Sequence, residues 1–424
     1  MRKNFFLIFL IFFSLTIGYQ ILALWRGVSY SQKGFSKENL LKAIEVDPGN
    51  PTPFHKLGVL HLWDLLHSDL KESDRYSRKA IEKNPLDQEY WLNLAKVFQR
   101  LGESEPFERA LENSILVFPT SYRGRWVAGN LLLQHGALER AIPHFSYILT
   151  HYPNQSSFVY DIWGKVVNDQ DFILEKIVPE DPYSLNRYIT YLYESGDKDL
   201  AKKAWGKKIS LGYKADRGET LRHIDFLISQ GELSEAFQIW KARLQEEGFT
   251  ISSDGNLMTN GGFEREKVLG SGFDWKIENA PGAKVSFDQS VAFEGKSSLK
   301  ITFNGKENVD FQHIYQLVAL KPETDYMLKI HMKTKAVTTK SGLKVEVVGV
   351  GTSFYGASES LIGDNEWKEL GVPFRTPAQG HGGWVRVRRV KTEKFDRYIT
   401  GTVWLDNVRL MEVNKEARGS IEKK

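Results

Sequence analysis

The chain has 424 residues, 41% of them apolar and 26% charged, a balance that fits two or three folded domains and excludes a disordered or polytopic chain. With 57 basic against 53 acidic side chains the net charge is +4, too near neutral for nucleic acid to be the main partner. The absence of cysteine excludes disulfides, thiolate zinc sites, cysteine catalysis and the acylated cysteine of a lipoprotein.

Arg2 and Lys3 precede an unbroken uncharged, mainly apolar run from Phe5 to Leu24. As a helix this run rises about 30 Å, enough to cross the hydrocarbon core of a bilayer. The rival reading is a cleaved signal peptide, whose apolar region is about 7–15 residues and ends in a small-x-small site. Ala23 lies between Leu22 and Leu24, with Trp25 next, and no such site is present. The sequence therefore predicts an uncleaved, single-pass membrane anchor over residues 1–30. Trp25 and Arg26 suit an interfacial position, and Arg2 and Lys3 favour a cytoplasmic N-terminus. No second hydrophobic run follows, so the expected location is the cell membrane, with residues 31–424 outside the cytoplasm.

Residues 31–248 are repetitive. Pro85, Pro119 and Pro153 are 34 residues apart, and so are Gly102 and Gly136. Similar phrases precede the prolines, among them "AIEVDP" before Pro48 and "AIEKNP" before Pro85. This spacing and the residues Trp91, Leu94, Ala95 and Phe98, then Gly129, Leu132, Ala141 and Phe145, resemble the tetratricopeptide repeat, a helix-turn-helix unit of about 34 residues. Gly196 and Gly231, and Ala201 and Ala236, are 35 apart, whereas residues 154–180 fit poorly. Five or six repeats are expected between Phe35 and Gly248. The resemblance implies an α-solenoid whose concave face binds a protein partner and performs no chemistry.

Near Gly248 helical periodicity gives way to alternation, in "AKVSF", "SLKITF", "YMLKIHMK", "LKVEVV", "WVRVRRV" and "TVWLDNVRL". About nine short strands separated by turn residues predict a β-sandwich or jelly roll over residues 249–413, followed by a polar tail at 414–424. The segments Asn256–Glu264, Ala292–Phe303, Tyr315–Lys333 and Val403–Leu410 resemble the carbohydrate-binding-module-like jelly rolls of extracellular bacterial proteins. The expected fold class is thus multidomain α plus all-β: a transmembrane helix, an α-solenoid and a C-terminal sandwich. The resemblance also implies a structural calcium ion held by Glu264 and Asp406, with backbone carbonyls near Lys296 completing a shell of about 6–8 oxygens. The other reading of these two carboxylates is that they cap turns or accept backbone N–H bonds.

A glycan site needs an aromatic platform and polar groups that reach hydroxyls. Alternation in "WVRVRR" turns Trp384, Arg386 and Arg388 to one side and Val385 and Val387 to the other. Lys329, His331 and Lys333 likewise oppose the apolar positions Tyr326, Leu328, Ile330 and Met332. If both strands share a sheet, its outer face is basic and suits an acidic glycan. The alternative is an ordinary solvated face. Asn308 and Asp310 are further candidates because they fall on a loop.

Enzyme signatures are missing: no H-E-x-x-H, no G-x-S-x-G and no phosphate loop occurs. The sequence is read as a non-catalytic, membrane-anchored scaffold of the cell envelope. In this reading the repeats bind protein and the sandwich binds glycan, in assembly or export of an extracellular polysaccharide. The competing readings are a pure protein-interaction scaffold and a cryptic carbohydrate-active enzyme whose carboxylate pair is distant in sequence.

Overall fold

The structure, a computed structural model, describes residues 2–32, 36–64, 68–167, 169–249 and 255–413. The expected polar tail and Phe35 lie outside the described residues. The chain divides into two compact units, Met1–Tyr213 and Lys214–Lys424.

The first unit is helical. Its helices are α1 (Arg2–Gln32), α2 (Lys37–Val46), α3 (Pro51–Trp63), α4 (Leu70–Lys83), α5 (Gln88–Leu101), α6 (Ser104–Val117), α7 (Tyr122–Gln134), α8 (Leu138–His151), α9 (Ser156–Val166), α10 (Gln170–Phe172), α11 (Pro182–Ser195) and α12 (Lys198–Ser210). Successive helices pack as pairs: α3 on α4, α5 on α6, α7 on α8 and α11 on α12. The turn glycines Gly102, Gly136 and Gly196 have φ of 75°, 79° and 74°, the left-handed conformation that lets a helix end and the chain turn back. Asp87, Ser121 and Asp181 start the helices that these glycines end, α5, α7 and α11, by accepting backbone N–H bonds, satisfying donors that a helix leaves open.

Small residues sit where large ones intrude. A Cβ on Gly129 would fall 2.6 Å from the Phe145 ring, and Ala95, Ala128 and Ala141 are fully buried. The poorly fitting stretch 154–180 contains α9, the three-residue α10 and a π-helical turn at Ile173–Ile177. Within α1, Leu10–Gln32 is long and apolar enough to cross a membrane by length and composition. The last turns of α1 are built into the unit: Ser31 is buried, its carbonyl accepts from Lys56 Nζ at 2.7 Å, and a Cβ on Gly27 would meet Asp47.

The second unit opens with a helical hairpin, α13 (Arg217–Ser229) and α14 (Leu233–Glu246), and continues as a sandwich. Its strands are β1 (Lys276–Ile277), β2 (Ala283–Asp288), β3 (Ser298–Asn304), β4 (Phe311–Ala319), β5 (Asp325–Val337), β6 (Lys344–Gly349), β7 (Tyr355–Ala357), β8 (Gly363–Arg375), β9 (Gly382–Arg389) and β10 (Thr400–Glu412). They form two antiparallel sheets, ordered β1-β4-β9-β6-β7 and β2-β3-β10-β5-β8. The core lies between them, where Leu299, Ile301, Leu328, Ile330, Met332, Val385, Val387, Val403 and Leu405 are at most 1% exposed.

The hairpin shares a core with the sandwich. Ile224, Leu227, Leu233 and Trp240 pack with Val268, Leu269, Phe273 and Leu317. Asp225 accepts from Ser271 Oγ and the Gly272 N–H, and Arg217 donates to the carbonyls of Val268 and Leu269. The sequence changes pattern near Gly248, yet the compact unit starts at Lys214. Helical periodicity records that a helix buries one face and leaves open which neighbour covers it.

Candidate functional site

The outer face of the sheet β1-β4-β9-β6-β7 gathers the polar and aromatic groups of interest. The pairing register sets Tyr315 beside Arg386 and Glu346 on its other side, and Leu317 beside Trp384 with Val348 beyond. A cleft of about 330 Å³ is lined by Glu278, Gln312, His313, Tyr315, Trp384 and Arg386. The Tyr315 and Trp384 rings meet edge-on with centroids 5.4 Å apart.

Three cations of this face, Lys344, Arg386 and Arg388, have carboxylate partners. Glu346 is 2% exposed, accepts from Arg386 Nε at 2.5 Å and from Tyr355 Oη at 2.8 Å, and lies 3.5 Å from Lys344 Nζ. Lys344 in turn donates to Tyr355 Oη at 2.8 Å. Arg388 pairs with Asp310 and donates to the Phe311 carbonyl. Asn308 bridges two loops by bonding both the carbonyl and the N–H of Thr392. Asp310 and Asn308 therefore hold neighbouring protein groups.

The expectation that Lys329, His331 and Lys333 join Trp384, Arg386 and Arg388 on one sheet does not hold. Strand β5 pairs with β10 and β8, whereas β9 pairs with β4 and β6. The two triplets lie on different sheets because alternation assigns a side of a strand and carries no information on its partners. On the second sheet Lys329 pairs with Glu369 at 2.9 Å and Lys333 with Glu366 at 2.5 Å. His331 stacks on Phe293 with centroids 3.6 Å apart, and burial lowers its pKa. Trp367 meets Phe293 edge-on. Sequence reasoning missed Tyr315, His313, Glu346 and Tyr355. Alternation along "FQHIYQLVAL" could have found the first two, since Ile314 faces the core.

Glu264 and Asp406 do come together. A Cβ on Gly262 would lie 3.8 Å from both Asp406 Oδ1 and the Glu264 side chain. Asp406 is fully buried and accepts from the N–H groups of Phe293, Glu294 and Asn407. Glu264 accepts from the Lys296 N–H and is packed onto Gly295, whose φ of 72° and missing Cβ make room for the carboxylate. Close approach to the Val408 carbonyl excludes a side chain at Gly261. The tight turn itself uses left-handed Asn260 and Phe263 rather than either glycine.

Burial, with Glu264 as a further contributor, raises the Asp406 pKa. A buried carboxylate beside an exposed one, Asp406 next to Glu264, offers anionic oxygens of the kind a hard divalent cation takes. A cavity of about 240 Å³ adjoins Glu264, Gly262, Gly295 and Asn407. Among the described residues no group of three or more His, Cys, Asp and Glu could hold a metal, and the backbone groups that meet the two carboxylates are N–H donors.

Residues 255–390 match the family model described as "Carbohydrate binding domain". The chain is 26% identical over 170 residues to the tRNA(Glu)-specific nuclease WapA of Bacillus subtilis subsp. natto, a match covering 38% of this chain and 7% of that protein. Similar solved structures include the CBM22-1 xylan-binding domain from Paenibacillus barcinonensis Xyn10C, 19% identical, covering 39% of this chain and 99% of that one with a TM-score of 0.28. A CBM61 domain in complex with β-1,4-galactotriose is 16% identical, covering 37% and 99%, with a TM-score of 0.28. MamA is 19% identical, covering 32% and 81%, with a TM-score of 0.27. Residues 255–390 are thus similar in sequence to a carbohydrate-binding domain and lie within a two-sheet sandwich.

Proposed function

We propose that the second unit binds a largely neutral glycan on the outer face of the sheet β1-β4-β9-β6-β7. The observation that carries this reading is the cleft in which Tyr315 and Trp384 flank Arg386, itself fixed by buried Glu346. Aromatic faces and edges receive the C–H surfaces of sugar rings, and an oriented guanidinium donates to hydroxyls. An acidic ligand, the expectation from sequence, is disfavoured because its carboxylate would compete with Glu346 for Arg386 and with Asp310 for Arg388.

The protein acts without catalysis in this proposal. Helix α1 anchors it in the cell membrane with the rest of the chain outside the cytoplasm. The paired helices of the first unit are tetratricopeptide-type repeats that hold a protein partner. The setting is assembly or export of cell-envelope or extracellular polysaccharide. Glu264 and Asp406 hold a structural calcium ion.

Binding assays and N-terminal sequencing test these readings. On an array of neutral and acidic oligosaccharides, the protein should bind neutral members. Calorimetry should show about tenfold weaker binding for Tyr315→Ala. Affinity should change little from 0.1 to 1 M salt, over which the Debye length falls from about 10 to about 3 Å. Undiminished binding by Tyr315→Ala, or loss of binding at high salt, would refute the neutral cleft. For the anchor, N-terminal sequencing of membrane-extracted protein should return Met1 or Arg2. A start near residue 25 in a soluble fraction would refute it.

A further inference from the structure

The cleft ends at the helical hairpin. Along β4 and β9 the cross-strand pairs run Ala319–Gly382, Leu317–Trp384 and Tyr315–Arg386. Leu233, the first residue of α14, covers the first pair so closely that a Cβ on Gly382 would collide with its Cδ1. The φ of Gly382 lies outside the left-handed region, so this glycine serves the close approach and not a turn. In the second pair Leu317 is 2% exposed within the core of Trp240 and Phe273, and Trp384 packs on that same core. The third pair lines the cleft. Trp384 therefore belongs both to the hairpin core and to the cleft lining.

We infer that the α13–α14 hairpin is a fixed wall of the glycan cleft, with Leu233 and Gly382 as its seat and Trp384 as the shared side chain. The inference rests on the glycan reading above. The wall blocks a ligand running along the strands. It leaves the path across them, from Tyr315 on β4 past Arg386 and Glu346 to the exposed ring of Tyr355 beyond β6. That path crosses three strand spacings, about 14 Å at roughly 4.8 Å each. The occupant is a linear glycan segment seated with one edge against the hairpin. Because Trp384 touches both, sugar binding and hairpin docking stabilise each other, as reciprocal linkage requires.

The test uses the full chain and a panel of xylohexaose, cellohexaose, laminarihexaose and β-1,4-galactotriose. For the member that binds, Gly382→Val should lift the wall and weaken binding about tenfold. The compensated variant Leu233→Ala/Gly382→Val should recover to within about threefold. In the unmodified protein, adding that oligosaccharide should slow amide exchange in α14 as well as in β9. Undiminished binding by Gly382→Val, no recovery in the double variant, or exchange in α14 that ignores the sugar would each overturn the wall while leaving the cleft in place, provided Tyr315→Ala still weakens binding about tenfold. If no member of the panel binds, the glycan reading falls and the wall with it.

Discussion

Replacing Arg389 by alanine is expected to cost the second unit about 3–5 kcal/mol, the lower part of the range for orphaning three buried carbonyls at roughly 1–3 kcal/mol each. Arg389 continues the inward phase of β9 after Val385 and Val387, and it is fully buried. Its Nε donates to the Ser341 carbonyl at 2.9 Å, Nη2 to the Arg397 carbonyl at 3.0 Å, and Nη1 to the Val309 carbonyl. One guanidinium thus fastens three loops, those before β4, β6 and β10. Burial lowers its pKa, and Asp310 and Asp396 act in the opposite direction. Alanine would orphan three carbonyls, at roughly 1–3 kcal/mol for each that stays dry, and leave a cavity. Lysine keeps the charge but has no planar fork, so Arg389→Lys should recover less than half of the loss. The chain has two units, so a single melting curve is a poor measure. Amide exchange in β9 and β10 reports the second unit separately. Full recovery by lysine, or a cost under about 1 kcal/mol for alanine, would show that the fork is not what fastens these loops.

Calcium is expected to stabilise the second unit by about 2.7 kcal/mol when present at a hundredfold excess over its dissociation constant. The residues responsible are Glu264 and Asp406, and the reason is charge. Asp406 is buried, with Glu264 as a second negative group nearby, and its pKa is raised. Without a cation, the folded protein holds this proton more tightly than the unfolded chain does. The contribution of Asp406 is then most favourable below the ordinary aspartate value of about 3.9, and it is lost as pH rises through the raised folded value. A bound calcium ion reverses the sign, because it favours the ionised pair and is displaced as the carboxylates protonate. Amide exchange in residues 293–298 and β10 should therefore slow on adding calcium at neutral pH, and the slowing should vanish toward pH 4. Asp406→Asn should lose most of the calcium increment whatever its own baseline stability, since the amide keeps a single oxygen acceptor and no charge. Equal protection in calcium and in chelator would remove the ion from the proposal.

Much of the architecture is legible in the sequence. The left-handed glycines at 102, 136 and 196, the helix-starting Asp87, Ser121 and Asp181, and the inward alternation of Tyr326, Leu328, Ile330 and Met332 are local requirements, and residue type reports them directly. The same holds for the irregular stretch 154–180, where a π-helical turn interrupts the pairing pattern. The candidate site was legible only in part. Trp384, Arg386 and Arg388 lie together on one strand, and Glu264 and Asp406 meet across 142 positions of sequence.

Residue pattern by itself determined which segments are helix or strand and which side of each is apolar, because those depend on backbone geometry and periodic burial within a few residues. Only the tertiary structure decided that β5 and β9 lie in different sheets, that α13 and α14 belong to the sandwich unit, and that each cation of the expected basic face has a carboxylate partner. Strand order, helix docking and ion pairing join residues tens of positions apart. A periodic pattern states that a face is buried, and the neighbour that buries it is chosen by the packing of the whole unit.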